Sequence, residues 1–237
     1  MQGMITVLIH DGRWSPAAAS LSPRPMDPPL LQARGLFFGH GPRPLLGGID
    51  LDLPAGSRTV LLGDNGAGKS TLLRLLQGAL PPHGGWVKLE GRPLRGQRRR
   101  VALLPQSAPL AWHYPIDLLG LVALGADGDR QCGLAALRQV GLEALARRAI
   151  GQLSGGQRQG ALIARALAQN ADVLLLDEPL AALDAPSRHR LGALLRLLSA
   201  RGTAILLTLH GERPESLGPV RQLVLRQGRL RPESFFC

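Results

Sequence analysis

The chain has 237 residues, of which 45% are hydrophobic, 19% are charged and only 3% are aromatic. This length suits one α/β domain with a small inserted subdomain, and the apolar content is enough for a folded core, which excludes a disordered protein. An integral membrane protein is excluded too, because no apolar run approaches the roughly 18–20 residues that cross a bilayer.

The charge is strongly basic, with 28 Lys and Arg against 17 Asp and Glu and a formal net charge of +11. Nucleic-acid binding, contact with an anionic membrane surface and a solvated arginine-rich surface all remain compatible with this excess. Three Trp, one Tyr and four Phe are few for base stacking, and no known nucleic-acid-binding signature is present. The two cysteines, Cys132 and Cys237, lie far apart and are predicted to be free thiols.

Residues 1–29 are predicted to form a disordered, proline-rich tail. Five prolines fall between positions 16 and 29, and the segment has little hydrophobic periodicity. Met26 offers an alternative translation start, which would leave out the first 25 residues.

From residue 30 onward, predicted strands alternate with predicted helices. Apolar runs predict strands at 30–38, 49–53, 58–62, 101–104, 172–176 and 203–209, and a closing hairpin at 221–230. Helical patterns begin at about 70, 157 and 186, and the strand-poor stretch of about 107–155 is predicted to be an inserted helical subdomain. The alternation predicts a parallel sheet covered on both faces.

A glycine-rich loop follows the predicted strand at 58–62. Residues 63–70 read GDNGAGKS and fit the GxxxxGK[ST] pattern between a strand and a helix. Glycines bring successive amides onto phosphate oxygens, Lys69 reaches the β and γ phosphates, and the Ser70 hydroxyl is a ligand for Mg²⁺. The predicted nucleotide-binding residues here are Gly63, Asp64, Asn65, Gly66, Ala67, Gly68, Lys69, Ser70 and Thr71.

Two carboxylates follow the buried strand that ends in VLLL. Asp177 is placed to hold Mg²⁺, and Glu178 is placed to polarise an attacking water molecule. Adjacent acids could merely begin a loop, but the phosphate loop elsewhere in the chain favours a catalytic role.

The sequence LSGGQ at 153–157 predicts a second phosphate-binding surface. Ser154 is a good helix N-cap, Gly155 and Gly156 expose amides at a helix start, and Gln157 completes the motif. A plain N-capped helix would not need two glycines. Since the chain already has one phosphate loop, we expect the second surface to serve another subunit's nucleotide, in a dimer that sandwiches ATP.

With these motifs, residues 30–230 resemble an ATP-binding-cassette ATPase. The resemblance implies a P-loop NTPase fold of the α/β class, over about 30–232. That fold has a RecA-like parallel core, an N-terminal antiparallel β-subdomain and an inserted helical subdomain. It also implies ATP and Mg²⁺ as ligands and a homodimer on ATP binding.

The resemblance assigns roles to four further residues. Gln106 matches the glutamine that touches Mg²⁺ and the membrane partner, and Asp184 matches the loop that bridges subunits. His210 matches the switch histidine at the γ-phosphate, although alone it would be an ordinary strand-end histidine. The adenine-stacking position falls on His40, while Phe38 is expected in the core.

Two positions depart from the family pattern, since Gly160 stands for a basic residue and Gly211 for an aspartate. Another stretch, Trp112-His113-Tyr114-Pro115, is similar to an aromatic box of the manganese, zinc and iron importer branch. Its aromatics could form a permease interface or could pack within the helical subdomain.

The resemblance therefore implies the ATPase subunit of a multi-subunit importer for a metal ion or metal chelate. Expected partners are membrane permease subunits and, indirectly, a solute-binding protein, at the cytoplasmic face of the membrane. We expect no metal-ligand cluster for the cargo and no nucleic-acid partner. The alternatives are a scaffold ATPase of the iron–sulfur assembly type, uncoupled from transport, and a nucleic-acid-associated cassette ATPase.

Overall fold

The computed structural model describes residues 28–40, 43–106, 110–209 and 215–232. Of the predicted tail at 1–29, all but Pro28 and Pro29 therefore lies outside the described residues. Within the described ranges no helix has the length and apolar character needed to span a bilayer.

Strands and helices succeed one another as follows. The strands are β1 (Leu31–His40), β2 (Arg43–Leu53), β3 (Arg58–Leu62), β4 (Gly84–Leu89), β5 (Arg92–Pro93), β6 (Val101–Leu104), β7 (Val173–Leu176), β8 (Ala204–Thr208), β9 (Arg221–Arg226) and β10 (Arg229–Pro232). The helices are α1 (Lys69–Gln77), α2 (Leu118–Ala123), α3 (Arg130–Val140), α4 (Gly155–Ala168) and α5 (Ala185–Ala200).

The larger sheet has six strands in the order β10-β9-β3-β8-β7-β6. Strands β9, β3, β8, β7 and β6 are mutually parallel, and β10 closes the edge as an antiparallel hairpin with β9. Every residue of β7 and β8 is buried, as expected for strands covered on both faces. The predicted parallel core is confirmed.

The smaller sheet has four antiparallel strands in the order β2-β1-β4-β5 and confirms the predicted β-subdomain. Strand β2 is longer than predicted, since it begins at Arg43 rather than Ile49, and β4 and β5 were not predicted. The sheet packs against α1 in one hydrophobic cluster with Leu36, Leu46, Leu72 and Leu75 among its buried members. This packing fixes the helix that follows the phosphate loop.

Helices α2 and α3 lie in the stretch predicted as a helical insertion. Asp117 caps α2 by accepting from the Gly120 amide, and Asp129 caps α3 by accepting from the Gln131 and Cys132 amides. Their apolar faces form a separate cluster in which Leu121 and Leu137 pack with Ala161 and Ala164 of α4. Ile163 and Ala166 of α4 also belong to another cluster, formed with buried residues of β6, β7 and β8. Helix α4, which carries the LSGGQ motif at its start, is therefore held by both clusters.

Candidate functional site

The phosphate loop runs from the end of β3 to the first residue of α1. Lys69 is 6% exposed, and its Nζ donates to the carbonyl oxygens of Gly63 at 2.7 Å and Asp64 at 3.2 Å. These two hydrogen bonds use two of the three N–H bonds of the ammonium group and fix its position against the loop. The cation is thus held at the loop before any phosphate is bound.

Two glycines of this loop occupy conformations that larger residues avoid. At Gly63 the φ angle is +153°, and a Cβ would lie 2.6 Å from the carbonyl oxygen of Leu225 on β9. At Gly68, the residue before α1, φ is +100° and no side chain caps the helix. The first amides of α1 therefore have no capping side chain, which is the arrangement that binds phosphate at a helix start.

The carboxylates follow β7, two strands away from β3. The Asp177 amide donates to Leu104 O at 2.9 Å, and the Asp177 side chain is 3% exposed. Glu178 is half-buried and has a φ angle of +50°, in the left-handed region. Its Oε2 accepts a hydrogen bond of 3.0 Å from Nε2 of Gln106, which lies just after β6.

One pocket of about 270 Å³ brings the two halves of the predicted site together. Its lining includes Lys69, Ser70 and Thr71 from the phosphate loop together with Gln106 and Glu178. Asp177 directly precedes Glu178 in the chain. The structure thus places the lysine loop, the Ser70 hydroxyl and the Glu178 carboxylate around one cavity.

Ser154 begins α4 with a reciprocal capping box. Its Oγ accepts from the Gln157 amide at 3.3 Å, and Gln157 Oε1 accepts from the Ser154 amide at 3.0 Å. A Cβ at Gly155 would have no atom within 4 Å, so this position of the first turn of α4 faces open space. The helix start is capped and also unobstructed, so its geometry is compatible with a plain helix cap and with a phosphate-binding surface.

Asp184 caps α5 and lies beside the LSGGQ motif. Its Oδ1 accepts from the Ser187 amide at 2.8 Å. Hydrogen bonds from the Ser187 side chain and amide hold the pKa of Asp184 below its ordinary value. Asp184 lines a pocket of about 390 Å³ with Ser154, Gly156 and Gln157. Asp184 and the LSGGQ residues therefore share one pocket, while the phosphate loop lines a different pocket.

Two predicted site residues cannot be placed in this way. His210 lies outside the described residues, and so does Gly211. The backbone of His40 ends β1, but its side chain is likewise outside the description. Phe38 is buried at 7% exposure, as expected for a core residue, and stacks on His83 with ring centroids 4.8 Å apart.

Trp112 and Tyr114 of the aromatic box differ in their surroundings. Trp112 packs against the helical cluster, with the Arg158 guanidinium 4.9 Å from its ring centroid. Tyr114 is 61% exposed and is available at the surface. Gly160, the departure on α4, contacts Leu142, since a Cβ there would lie 2.8 Å from the leucine Cδ1.

One residue of the site was not predicted from the sequence. Thr208 ends β8, is fully buried, and hydrogen-bonds to both Asp177 and Glu178. The available signal was a second threonine hydroxyl near the end of the apolar run TAILLTL, two residues before the predicted switch histidine.

The comparisons with known proteins agree with this geometry. A family model described as "ABC transporter" matches residues 46–181. The zinc transport system ATP-binding protein TroB of Treponema pallidum is 36% identical over 191 residues, covering 76% of this chain and 72% of that protein. The manganese transport system ATP-binding protein MntB of Bacillus subtilis is 37% identical over 179 residues, covering 71% of this chain and 72% of that protein.

Solved structures resemble the whole arrangement. The dimeric structure of MJ0796, a bacterial ABC transporter cassette, has a TM-score of 0.76 at 24% identity. The match covers 87% of this chain and 99% of that one. The likeness concerns the fold and extends beyond the residues matched by the family model.

Proposed function

This chain belongs to the ABC transporter family as an ATP-binding subunit with ATPase activity, and we propose that it powers a multi-subunit importer. The observation that carries the proposal is the pocket shared by Lys69, Ser70, Gln106 and Glu178. It combines a preformed cation and helix-start amides with a carboxylate, which are the groups needed to bind a triphosphate and hydrolyse it.

Hydrolysis requires charge neutralisation and an activated water molecule. Lys69 and the uncapped amides of α1 neutralise the phosphate oxygens as the bond to the γ-phosphate breaks. Glu178 accepts a hydrogen bond from the attacking water and orients it. Gln106 already contacts Glu178, so it is within reach of the same water molecule and can help to position it.

Mg²⁺ fits donor atoms of Ser70 and Gln106, which line this pocket, and of Asp177, which directly precedes the lining residue Glu178. The Ser70 hydroxyl, the Asp177 carboxylate and the Gln106 side-chain carbonyl are hard oxygen ligands of the kind that Mg²⁺ prefers. These three residues would hold the ion. When bound, the ion would supply charge neutralisation for the phosphate oxygens.

A second subunit completes the site in this proposal. Ser154, Gly155 and Gly156 offer a helix start that is open to solvent and separate from the phosphate loop of the same chain. In a head-to-tail homodimer this helix start would bind the γ-phosphate held by the partner's loop. Asp184, next to it, would contact the partner subunit.

The membrane partner would dock at a groove of about 700 Å³ between α1, β6 and the helices of the insertion. Leu124, 55% exposed, lines this groove, with Gln77 and Arg165 also in its lining. An exposed leucine in a groove suits insertion of an apolar permease segment. We place the subunit at the cytoplasmic face of the membrane, where the basic surface would face anionic lipid.

For the cargo, we propose a metal ion or a metal chelate. The relatives include zinc and manganese transport subunits, and the hemin import ATP-binding protein HmuV of Streptomyces coelicolor is 36% identical over 228 residues. These relatives are transport subunits, which disfavours the scaffold ATPase. Among the described residues, no group of three His, Cys, Asp or Glu side chains could hold a metal ion. Cargo selection would therefore belong to the permease and solute-binding protein.

The hydrolytic mechanism is tested with Glu178→Gln, which keeps the shape of the side chain and removes its charge. We expect wild-type ATP affinity, turnover reduced by about 100-fold or more, and an ATP-dependent dimer on size exclusion. Lys69→Ala is the matched comparison, and should lose ATP binding instead. Wild-type hydrolysis by the Gln variant, or a strictly monomeric ATP-bound form, would refute the mechanism.

The transport role is tested separately, by co-purification from detergent-solubilised membranes. We expect the subunit to be recovered with a multi-span permease and to be released by Leu124→Asp. Recovery from the cytosolic fraction alone would support the scaffold alternative.

A further inference from the structure

Thr208 lies at the centre of the hydrolytic site without being part of any motif described above. It is the last residue of β8, is 0% exposed, and sits between the strand that leads into the phosphate loop and the strand that delivers the carboxylates. A buried hydroxyl in an otherwise apolar strand needs hydrogen-bond partners.

Its two partners are the two acidic residues. The Glu178 amide donates to Thr208 Oγ1 at 2.8 Å, and Thr208 Oγ1 donates to Asp177 Oδ1 at 2.7 Å. The Glu178 amide can only donate, so Thr208 Oγ1 accepts there and its own single proton is directed at Asp177. Asp177 is the acceptor of this bond, as a magnesium ligand must be, and Thr208 occupies one of its two carboxylate oxygens.

The bond to the Glu178 amide matters because the backbone there is unusual. Glu178 has a φ angle of +50°, a region that non-glycine residues adopt rarely, and it is followed by Pro179, which further restricts the preceding residue. Such a conformation persists only when its surroundings hold it in place. The Thr208 hydroxyl holds its amide, and Gln106 holds its carboxylate.

We propose that Thr208 is a positioning residue for ATP hydrolysis. Its one hydroxyl sets the orientation of Asp177 and the left-handed backbone of Glu178 together, so that the metal ligand and the residue that orients water are placed as a unit. This inference rests on the proposed function, in which Asp177 holds Mg²⁺ and Glu178 acts on water.

The test compares three variants. Thr208→Val keeps the shape of the side chain and removes the hydroxyl, whereas Thr208→Ser keeps the hydroxyl. Thr59→Val is the matched control, because Thr59 is also 0% exposed, lies in the adjacent strand β3, and has no hydrogen-bond partner for its hydroxyl among the described residues. Circular dichroism verifies that each variant is folded.

Two quantities are measured on each full-length variant: ATPase turnover, and the fluorescence of a labelled ATP analogue titrated with and without Mg²⁺. For Thr208→Val we expect turnover reduced about 10- to 100-fold, since a buried bond to a charged group is lost. The Mg²⁺ concentration for half-maximal nucleotide binding should rise by about 10-fold, whereas binding in EDTA should stay within about twofold, because the lysine loop is intact.

Thr208→Ser and Thr59→Val should both remain within about threefold of wild type in turnover. A structural defect alone would not separate EDTA binding from Mg²⁺-dependent binding, nor be rescued by serine. Should the Val variant be insoluble, Thr208→Cys replaces it, since a thiol is a much weaker donor.

The proposal is overturned if Thr208→Val hydrolyses ATP at the wild-type rate with an unchanged Mg²⁺ requirement while Glu178→Gln is inactive. That result would leave the proposed function intact. If Glu178→Gln itself hydrolyses ATP normally, the proposed function fails instead, and the two failures are distinguished by that single variant.

Discussion

Two substitutions at Ser154 separate the structural role of the LSGGQ motif from its role in binding a partner's nucleotide. Ser154→Ala removes the capping oxygen from α4. Ser154→Asp keeps a good capping oxygen and adds a negative charge, which the start of a helix favours. If the motif is only a cap, Asp should be tolerated; if it binds phosphate, Asp should abolish function in a stable protein.

The structure sets the expected magnitudes. The capping bond from the Gln157 amide to Ser154 Oγ is long, at 3.3 Å, so for Ser154→Ala we expect a loss of about 0.5–1 kcal/mol and a melting temperature lower by about 1–4 °C. Ser154→Asp should melt within about 2 °C of wild type. A carboxylate about 4 Å from a phosphate costs about 1–4 kcal/mol for each pair of unit charges, which corresponds to about a 5- to 1000-fold loss of sandwich formation.

The assay is ATP-dependent dimerisation on size exclusion, measured in a Glu178→Gln background, with turnover measured separately in the otherwise wild-type chain. Asp129→Ser is the control, because it makes the reverse change at the cap of α3 and should affect neither readout. If Ser154→Asp dimerised with ATP and hydrolysed it as wild type does, LSGGQ would be a helix cap and the dimer argument would be wrong.

Two further predictions follow from the loop and the α3 cap. Gly63→Ala places a Cβ 2.6 Å from the Leu225 carbonyl oxygen, so urea denaturation should show a loss of about 2–4 kcal/mol together with weaker nucleotide binding; Gly66→Ala, which has open space, should lose only about 1–2 kcal/mol. Hydrogen bonds from the Cys132 amide, the Cys132 thiol and the Gln131 amide lower the pKa of Asp129. Its contribution to stability is therefore complete above the unfolded pKa of about 3.9 and is lost as the pH falls through the lower folded value. Melting curves of Asp129→Asn between pH 2.5 and 7 should show a weaker fall in acid than wild type, and an unchanged acid fall would contradict the assignment.

Sequence patterns predicted the elements whose burial is local and uniform. The run RTVLL became β3 with the predicted bounds, because its last three residues are a contiguous apolar run, as expected in a parallel strand covered on both faces. Strand β4, GGWVKL, begins with two glycines and is half exposed, so it has no such pattern; its pairing with β1 forms it. Pairing with β1 also extends β2 towards its N-terminal end through Pro44 and Gly47, residues that locally disfavour a strand.

The candidate site likewise contains residues that local sequence patterns predict and residues that depend on tertiary contacts. The glycine loop and the carboxylates could be predicted because their chemistry is written in contiguous residues. Thr208 could not, since its importance depends on hydrogen bonds across two strands to residues about 30 positions away. Likewise the contact between Gln106 and Glu178 appears only when β6 and β7 are paired side by side.

The position of β8 between β3 and β7 determines the width of the catalytic slot, by which we mean the gap between the phosphate loop after β3 and the carboxylates after β7. Val60, Leu207 and Leu176 lie in one row across the sheet, so the slot is two strand spacings wide, about 10 Å. Main-chain hydrogen bonds between the strands set this width, and side-chain replacements along the three strands leave it unchanged. The surface of such a cassette can therefore change to fit a different permease while the geometry of its triphosphate site stays the same.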